Sequence, residues 1–271
     1  MRKCWPDMYI TVVVHAKMMP LLQGNPLISA LIPYQPQAWF HKNGFWRTIL
    51  DCRREKYDVV IDASNPTDPS ATQASMAFFS GVKNILSPSL FKDVAHSGEH
   101  EIIMRMRWMG PLGVRIVDAL PILHMPSKGS AAVQQFLDTL GERPYIGIHV
   151  GARLSHKQVD VQDYALLCCV ALRLQCVPLL VYGSSHQTLA ESLQKTCPAA
   201  LLAPQTDLVD LSAVMQKCTA FISCDTGPMH ISVALSVPTL GVFIATDAKR
   251  YGYNQFPHCA LQVTEGNSLE N

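Results

Sequence analysis

The 271-residue sequence has nine cysteines but no Cys-x-x-Cys pair, no long apolar run and no surplus of charge of one sign. Each absence excludes a class. Irregular spacing of an odd number of cysteines argues against a zinc ribbon or a disulfide framework. It leaves the expectation of reduced core thiols in a cytosolic protein. No stretch reaches the roughly eighteen apolar residues that a bilayer-spanning helix needs; the nearest, Ile231 to Ala245, is interrupted by Pro238 and Gly241. The N-terminus starts basic, but its apolar run is cut at His15 and Lys17 and lacks a small-residue cleavage site. We therefore expect a buried strand there rather than a leader. With 22 basic and 21 acidic residues, the net charge of +1 supplies no basic stripe for nucleic acid. The 48% of hydrophobic residues excludes a disordered chain.

What is present is an alternation. Short apolar, β-branched runs at Tyr9–Val14, Val59–Ile61, Tyr145–Val150, Pro178–Val181, Ala220–Ser223 and Thr239–Phe243 read as strands. Helix-like segments at Ser70–Phe79, Gln162–Leu174 and His186–Lys195 lie between several of them. Continuous apolar strands separated by helices predict a parallel sheet buried on both faces, the α/β class. The turn chemistry of Met125–Gly129, followed by a helix-like run at Ala131–Leu140, predicts two α/β domains, 1–127 and 128–271.

The most informative segment runs from Phe221 to Phe243, FISCDTGPMHISVALSVPTLGVF, and reads as strand, turn, helix, turn, strand. Thr226 can cap the helix, Gly227 permits close backbone approach and Pro228 suits a first turn. A helix start at the carboxyl edge of a parallel sheet is an anion site, and His230 lies in the same first turn. Asp225 suits hydrogen bonds from loop N–H groups or sugar hydroxyls. The same residues also suit a plain cap over a core helix with a core histidine. A single Asp-Thr-Gly followed by a helix does not fit an aspartic protease, which needs two carboxylates. After Tyr145–Val150 comes Gly151-Ala-Arg-Leu-Ser-His-Lys157, in which Arg153 and Lys157 could clamp a diphosphate or form a solvated basic face. A third strand-end loop, Tyr182-Gly-Ser-Ser-His-Gln187, would converge on the same crevice.

These residues resemble glycosyltransferase family 9, the bacterial lipopolysaccharide heptosyltransferases. Asp225, Thr226, Gly227, His230, Ala234, Leu235, Pro238 and Thr239 match the family's Asp-Thr/Ser-Gly-x-x-His-x-x-x-Ala-Leu block and the Pro-Thr strand after it. Upstream, Lys56-Tyr-Asp-Val-Val-Ile-Asp62, Ser70-Ala-Thr-Gln-Ala74 and Phe79 to Leu86 look like a family strand, helix and glycine turn. The resemblance implies a GT-B fold, two Rossmann-like domains facing a cleft, with the N-terminal domain incomplete. It implies an ADP-heptose donor on the C-terminal domain and a lipopolysaccharide precursor acceptor, the Kdo or heptose of nascent lipid A core, on the N-terminal one. Gly151, Arg153, Lys157, Gln187, Asp225, Thr226, Gly227 and His230 would bind the donor, with Lys157 neutralising the leaving diphosphate. Transfer would invert the anomeric centre by direct attack of an acceptor hydroxyl. No cofactor or metal is implied beyond the donor itself.

The departures bear on catalysis. The family's first strand and Gly-Asp loop, source of its general base, and its closing helix have no counterpart in this sequence. Val159-Asp160 stands where the family has Trp-Pro, and Gln187 where it has Glu. Asp62 is the substitute base the sequence offers. A non-catalytic nucleotide-sugar-binding homologue is therefore the second expectation, and a two-Rossmann sugar-nucleotide epimerase a remote third. The acceptor implies a cytoplasmic protein at the inner face of the inner membrane. Trp39, Phe40, Phe45 and Trp46 could make peripheral contact or simply pack in a core or cleft. The sequence does not disclose the oligomeric state.

Overall fold

The computed structural model describes residues 1–2, 4–36, 43–65, 70–87, 99–107, 109–114, 120–125 and 129–263. Two compact units divide the chain, Met1–Ala119 and Leu120–Asn271. The division falls ahead of the expected seam at Met125–Gly129, of which 126–128 lie outside the described residues; the Leu123 N–H bonds the Ala234 carbonyl at 2.8 Å, which ties residues 120–125 to the second unit.

In the first unit the elements are β1 (Thr11–His15), α1 (Met19–Leu22), β2 (Ala30–Tyr34), α2 (Phe45–Glu55), β3 (Val59–Ile61), α3 (Ala71–Phe79), β4 (Asn84–Leu86) and α4 (Glu101–Arg107). β1 pairs with β2 and β3 with β4, both in parallel. Helix α2 buries Phe45, Thr48 and Ile49, the i, i+3, i+4 spacing of one helical face. The Ser70 hydroxyl caps α3 by accepting from the Gln73 N–H at 3.3 Å.

The second unit holds α5 (Ala131–Thr139), β5 (Tyr145–Val150), α6 (Val161–Arg173), β6 (Val177–Tyr182), α7 (Gln187–Thr196), β7 (Leu201–Leu202), α8 (Leu208–Lys217), β8 (Ala220–Cys224), α9 (Gly227–Ala234), β9 (Thr239–Phe243), α10 (Ala248–Tyr251) and β10 (Cys259–Gln262). Its six strands run in parallel in the order β10-β9-β8-β5-β6-β7. All six residues of the central strand β5 are buried, as a sheet covered on both faces requires. On α6, Tyr164, Leu167, Cys168 and Ala171 form the buried stripe. Gly241 lets α9 lie close on β9, since a Cβ there would stand 2.6 Å from the Met229 sulfur.

This is the α/β architecture expected from the alternation of strands and helices. β1 begins two residues later than expected and, against the expectation of a buried strand, none of its residues is buried; β2 was not anticipated because Pro33 interrupts its pattern. Helix α9 ends at Ala234, and Ser236 adopts a left-handed φ of 60° instead of continuing the helix. All nine cysteines are free thiols, but only Cys168, Cys197, Cys218 and Cys224 are buried. Cys4, Cys169 and Cys259 are exposed, which corrects the expectation of core thiols throughout. Cys169 follows buried Cys168 on α6 and so turns to the helix's outer side.

Phe221 is fully buried on β8, beside the central strand. Phe221→Ala is expected to lower unfolding free energy by about 3–5 kcal/mol, read from urea melts.

Candidate functional site

The strand order reverses between β5 and β8: β6 and β7 extend the sheet to one side of β5, and β8, β9 and β10 to the other. A crevice outside the carboxyl ends of the strands forms at such a point, where the flanking connections part to opposite faces. The loops leaving β5 and β8 carry the residues singled out in the sequence.

Asp225 follows β8 directly and is buried. Its Oδ2 accepts from Lys157 Nζ at 2.6 Å and from the Thr246 hydroxyl at 2.7 Å. His230 Nε2 lies 3.9 Å from its Oδ1. Lys157 comes from the loop after β5, His230 from the first turns of α9, and Thr246 from the loop after β9. Three strand-end loops and a helix start thus meet on one carboxylate. Behind His230, the Tyr253 hydroxyl is hydrogen-bonded to Nδ1 at 2.9 Å. Burial and then the Asp225 charge push the Tyr253 phenol up to about 12, so it stays protonated at neutral pH. With Nδ1 taken up by the phenol, Nε2 is the ring nitrogen turned toward Asp225.

The turn after β5 depends on Gly151. Its φ of 97° is the left-handed region, and a Cβ there would stand 2.3 Å from the His186 ring. The Gly151 N–H donates to the buried Tyr164 hydroxyl at 2.9 Å. That hydroxyl also lies 3.9 Å from the Cys224 sulfur, so α6 fastens both loop origins. His149 is buried beneath this turn with its Nδ1 unpartnered. Burial, and then His186, bring its pKa down to about 4.

Two expectations need correction. Thr226 occupies the cap position of α9, but its hydroxyl accepts no helix N–H; it donates to the Cys224 carbonyl at 3.3 Å and bonds Ser223 Oγ at 3.0 Å. The helix start also offers little backbone. Pro228 has no N–H and the Met229 N–H already bonds the Thr226 carbonyl at 3.1 Å, so among the described residues, of the four amides at this helix start, only those of Thr226 and Gly227 are unclaimed. Positive charge at the crevice therefore comes from side chains more than from the helix end. Arg153 is exposed on the β5 loop, outside the Asp225 network. Gln187, at the start of α7, donates to Glu191 at 2.8 Å, one turn along, so a carboxylate does stand beside this loop.

Asp62, in the first unit, is buried. Its Oδ1 accepts from the Ser64 N–H at 2.9 Å and its Oδ2 from the Ser87 hydroxyl at 2.8 Å. Oδ1 shapes the turn leaving β3 and Oδ2 ties that turn to the end of β4, which is a structural acceptor's role and not that of a base waiting for a substrate hydroxyl. Sequence reasoning missed Thr246, Tyr253 and Tyr164. Thr246 was within reach, because it sits just after a strand like the other loops. The two tyrosines carry no such positional signal.

A parallel α/β sheet with a charged crevice at its switch point is the arrangement of a nucleotide-handling domain. Residues 113–268 match the family model for glycosyltransferase family 9 (heptosyltransferase), and the chain belongs to that family. It is similar to lipopolysaccharide heptosyltransferase 3 of Escherichia coli (strain K12), 24% identical, covering 91% of this chain and 77% of that one. It is also 25% identical to lipooligosaccharide heptosyltransferase 2 of Haemophilus influenzae, covering 88% and 75%. Among solved structures, a family 9 glycosyl transferase from Veillonella parvula superposes with a TM-score of 0.81 at 20% identity, covering 98% and 81%. E. coli heptosyltransferase WaaC with ADP gives 0.72 at 17%, covering 97% and 86%. The fold is the GT-B type of these glycosyltransferases.

The histidine beneath the turn sets a pH dependence. Its pKa is lower folded than unfolded, so between about 6.5 and about 4 the unfolded chain binds more protons. Stability from the neutral ring is fully present above pH 6.5 and is lost as pH falls toward 4. Tyr164 and Cys224 share its pocket and stay neutral across that window, both pushed up by burial. His149→Leu is expected to flatten the acid limb of a melting-temperature profile.

Proposed function

We propose that this chain is an inverting glycosyltransferase. It would take a heptose or related sugar from an ADP-sugar bound on the second unit and pass it to a lipopolysaccharide core precursor held by the first. The observation that carries this reading is the convergence of Lys157, His230 and Thr246 on Asp225 at the switch point.

The chemistry follows from those groups. An acceptor hydroxyl attacks the anomeric carbon from the face opposite the diphosphate and gives up its proton to a base, for which Asp62 is the candidate in this sequence, or to solvent. As the bond to the diphosphate oxygen breaks, negative charge grows on ADP. The Lys157 ammonium has three N–H donors; one is committed to Asp225, and the others can turn to the phosphates. Asp225 holds the ammonium in place, and can take hydrogen bonds from sugar hydroxyls. The Gly227 amide and His230 complete the anion side, with Gly151 shaping the turn beside them. Arg153 and Gln187, exposed at the rim, would reach the nucleotide. Support for the substrates comes from the relatives, whose names describe lipopolysaccharide and lipooligosaccharide heptosyltransferases. Such an acceptor puts the protein at the cytoplasmic face of the inner membrane as a peripheral partner. Among the described residues no helix is long and apolar enough to cross a membrane.

One observation favours a second reading, a nucleotide-sugar-binding homologue without turnover: the substitute base Asp62 is already engaged by Ser64 and Ser87. Both readings expect ADP to raise the melting temperature, by about 2.7 kcal/mol of stabilisation at a hundredfold excess over Kd. Lys157→Ala and Asp225→Ala should each reduce that shift by more than half; an unchanged shift in both would place the donor elsewhere. ADP release from ADP-heptose in the presence of acceptor separates the enzyme from the binding homologue, which would hold the donor without releasing ADP.

A further inference from the structure

The first unit carries an aromatic strip that its own core does not use. Trp46 on α2 packs on Phe79 of α3 with ring centroids 5.9 Å apart, and Phe79 on Phe78 at 5.4 Å. The strip is open to solvent: Phe78 is 71% exposed, Leu50 49% and Trp46 41%. Phe45, by contrast, is buried, and Trp39 and Phe40 lie outside the described residues.

Beside the strip is a crevice of about 510 Å³ whose lining includes Arg53, Lys56, Lys83, Ser80 and Asp58. The Arg53 Nε donates to the Phe79 carbonyl at 2.8 Å, which fastens the guanidinium at the junction of strip and crevice. Asp51 pairs with Arg47 at 3.2 Å and with Arg54 at 3.7 Å. Among the described residues, Arg53, Lys56 and Lys83 have no carboxylate within ion-pair distance, although Glu55 and Asp58 stand nearby in sequence. The patch thus joins exposed rings to unpaired cations.

We propose that this face docks on an anionic phospholipid surface, with Phe78, Trp46 and Leu50 entering the interface and Arg53, Lys56 and Lys83 receiving lipid phosphates. Each half of the patch argues for that occupant. A soluble anion would fill the crevice and leave the rings in water. A second copy of the chain would cover the rings but bring two cationic rims together, a like-charge juxtaposition that opposes association. Aromatic side chains at headgroup level, flanked by Lys and Arg, satisfy both terms at once. The inference deepens the peripheral placement proposed above and rests on that reading, but not on the donor site, because every residue in it belongs to the first unit.

The test is co-sedimentation of the full chain with vesicles of phosphatidylcholine alone and of phosphatidylcholine mixed with phosphatidylglycerol. Retention only on the mixed vesicles, falling as salt screens the charges, is the expected result. Lys83→Glu should weaken partition at least roughly five-fold, as the loss of one cation near such a surface implies. Phe78→Ser should weaken it further, and both variants should keep the parent melting temperature. Absence of binding, equal retention on neutral vesicles, or full retention of both variants overturns the proposal. So does lipid-free self-association that Phe78→Ser abolishes, which would assign the face to a second copy. The ADP-induced melting shift, measured in the same variants, reports the donor site separately.

Discussion

Asp225 and its bond to Lys157 are the constraint on which the site depends. A buried carboxylate with no partner carries a desolvation cost of several kcal/mol. Here Lys157 and the Thr246 hydroxyl share one oxygen, at 2.6 and 2.7 Å, and His230 faces the other. Those three groups come from different connections, so the carboxylate fixes the mutual placement of loops that the sheet alone would only bring near one another. Lys157 is itself partly exposed, its side chain at 22%. Water screens the pair and tempers its contribution to stability. The same exposure lets the ammonium answer to a ligand's charge.

The backbone beneath that carboxylate is arranged for proximity. Gly151 turns left-handed under the His186 ring, Tyr164 accepts the Gly151 N–H, and Gly241 brings α9 down onto β9. Each glycine sets how close a loop at the site approaches its neighbour. Pro228 works in the opposite sense. It starts α9 cleanly but removes one of the N–H groups that a helix end would present to phosphate. With Met229 turned back to Thr226, the formal positive charge at this helix start is that of Lys157.

Much of this was legible in the sequence, for stated reasons. The buried strands β5, β6, β8 and β9 announced themselves as continuous apolar runs, because a sheet covered on both faces needs no polar alternation. Asp225, Lys157 and His230 stood out as charged groups placed just after such runs. The elements that escaped have no comparable period: β7 is two residues long, and β10 lies at the sheet edge with two of its four residues exposed after Cys259. Tyr253 was invisible because its role depends on a contact twenty-three positions away in sequence. Thr226 looked like a cap because its residue type suits one; Ser223 and the Cys224 carbonyl claim its hydroxyl instead. Residue type gives capacity, and neighbours decide its use.

The two units divide the chemistry unequally. In the second, the ionisable groups at the switch point converge on one carboxylate. In the first, the corresponding strand-end carboxylate, Asp62, is spent on Ser64 and Ser87: one oxygen shapes the turn after β3 and the other ties it to the end of β4. To remove a proton from an acceptor hydroxyl, it would have to release one of those bonds and leave a buried hydroxyl or amide unsatisfied, at about 1–3 kcal/mol. That cost falls on every turnover, whereas a carboxylate open to the substrate would bear none. Donor binding and base catalysis are therefore separable in this chain. The groups proposed to face a leaving diphosphate are assembled within one unit by contacts already in place, while proton removal requires a carboxylate that the fold has not already committed.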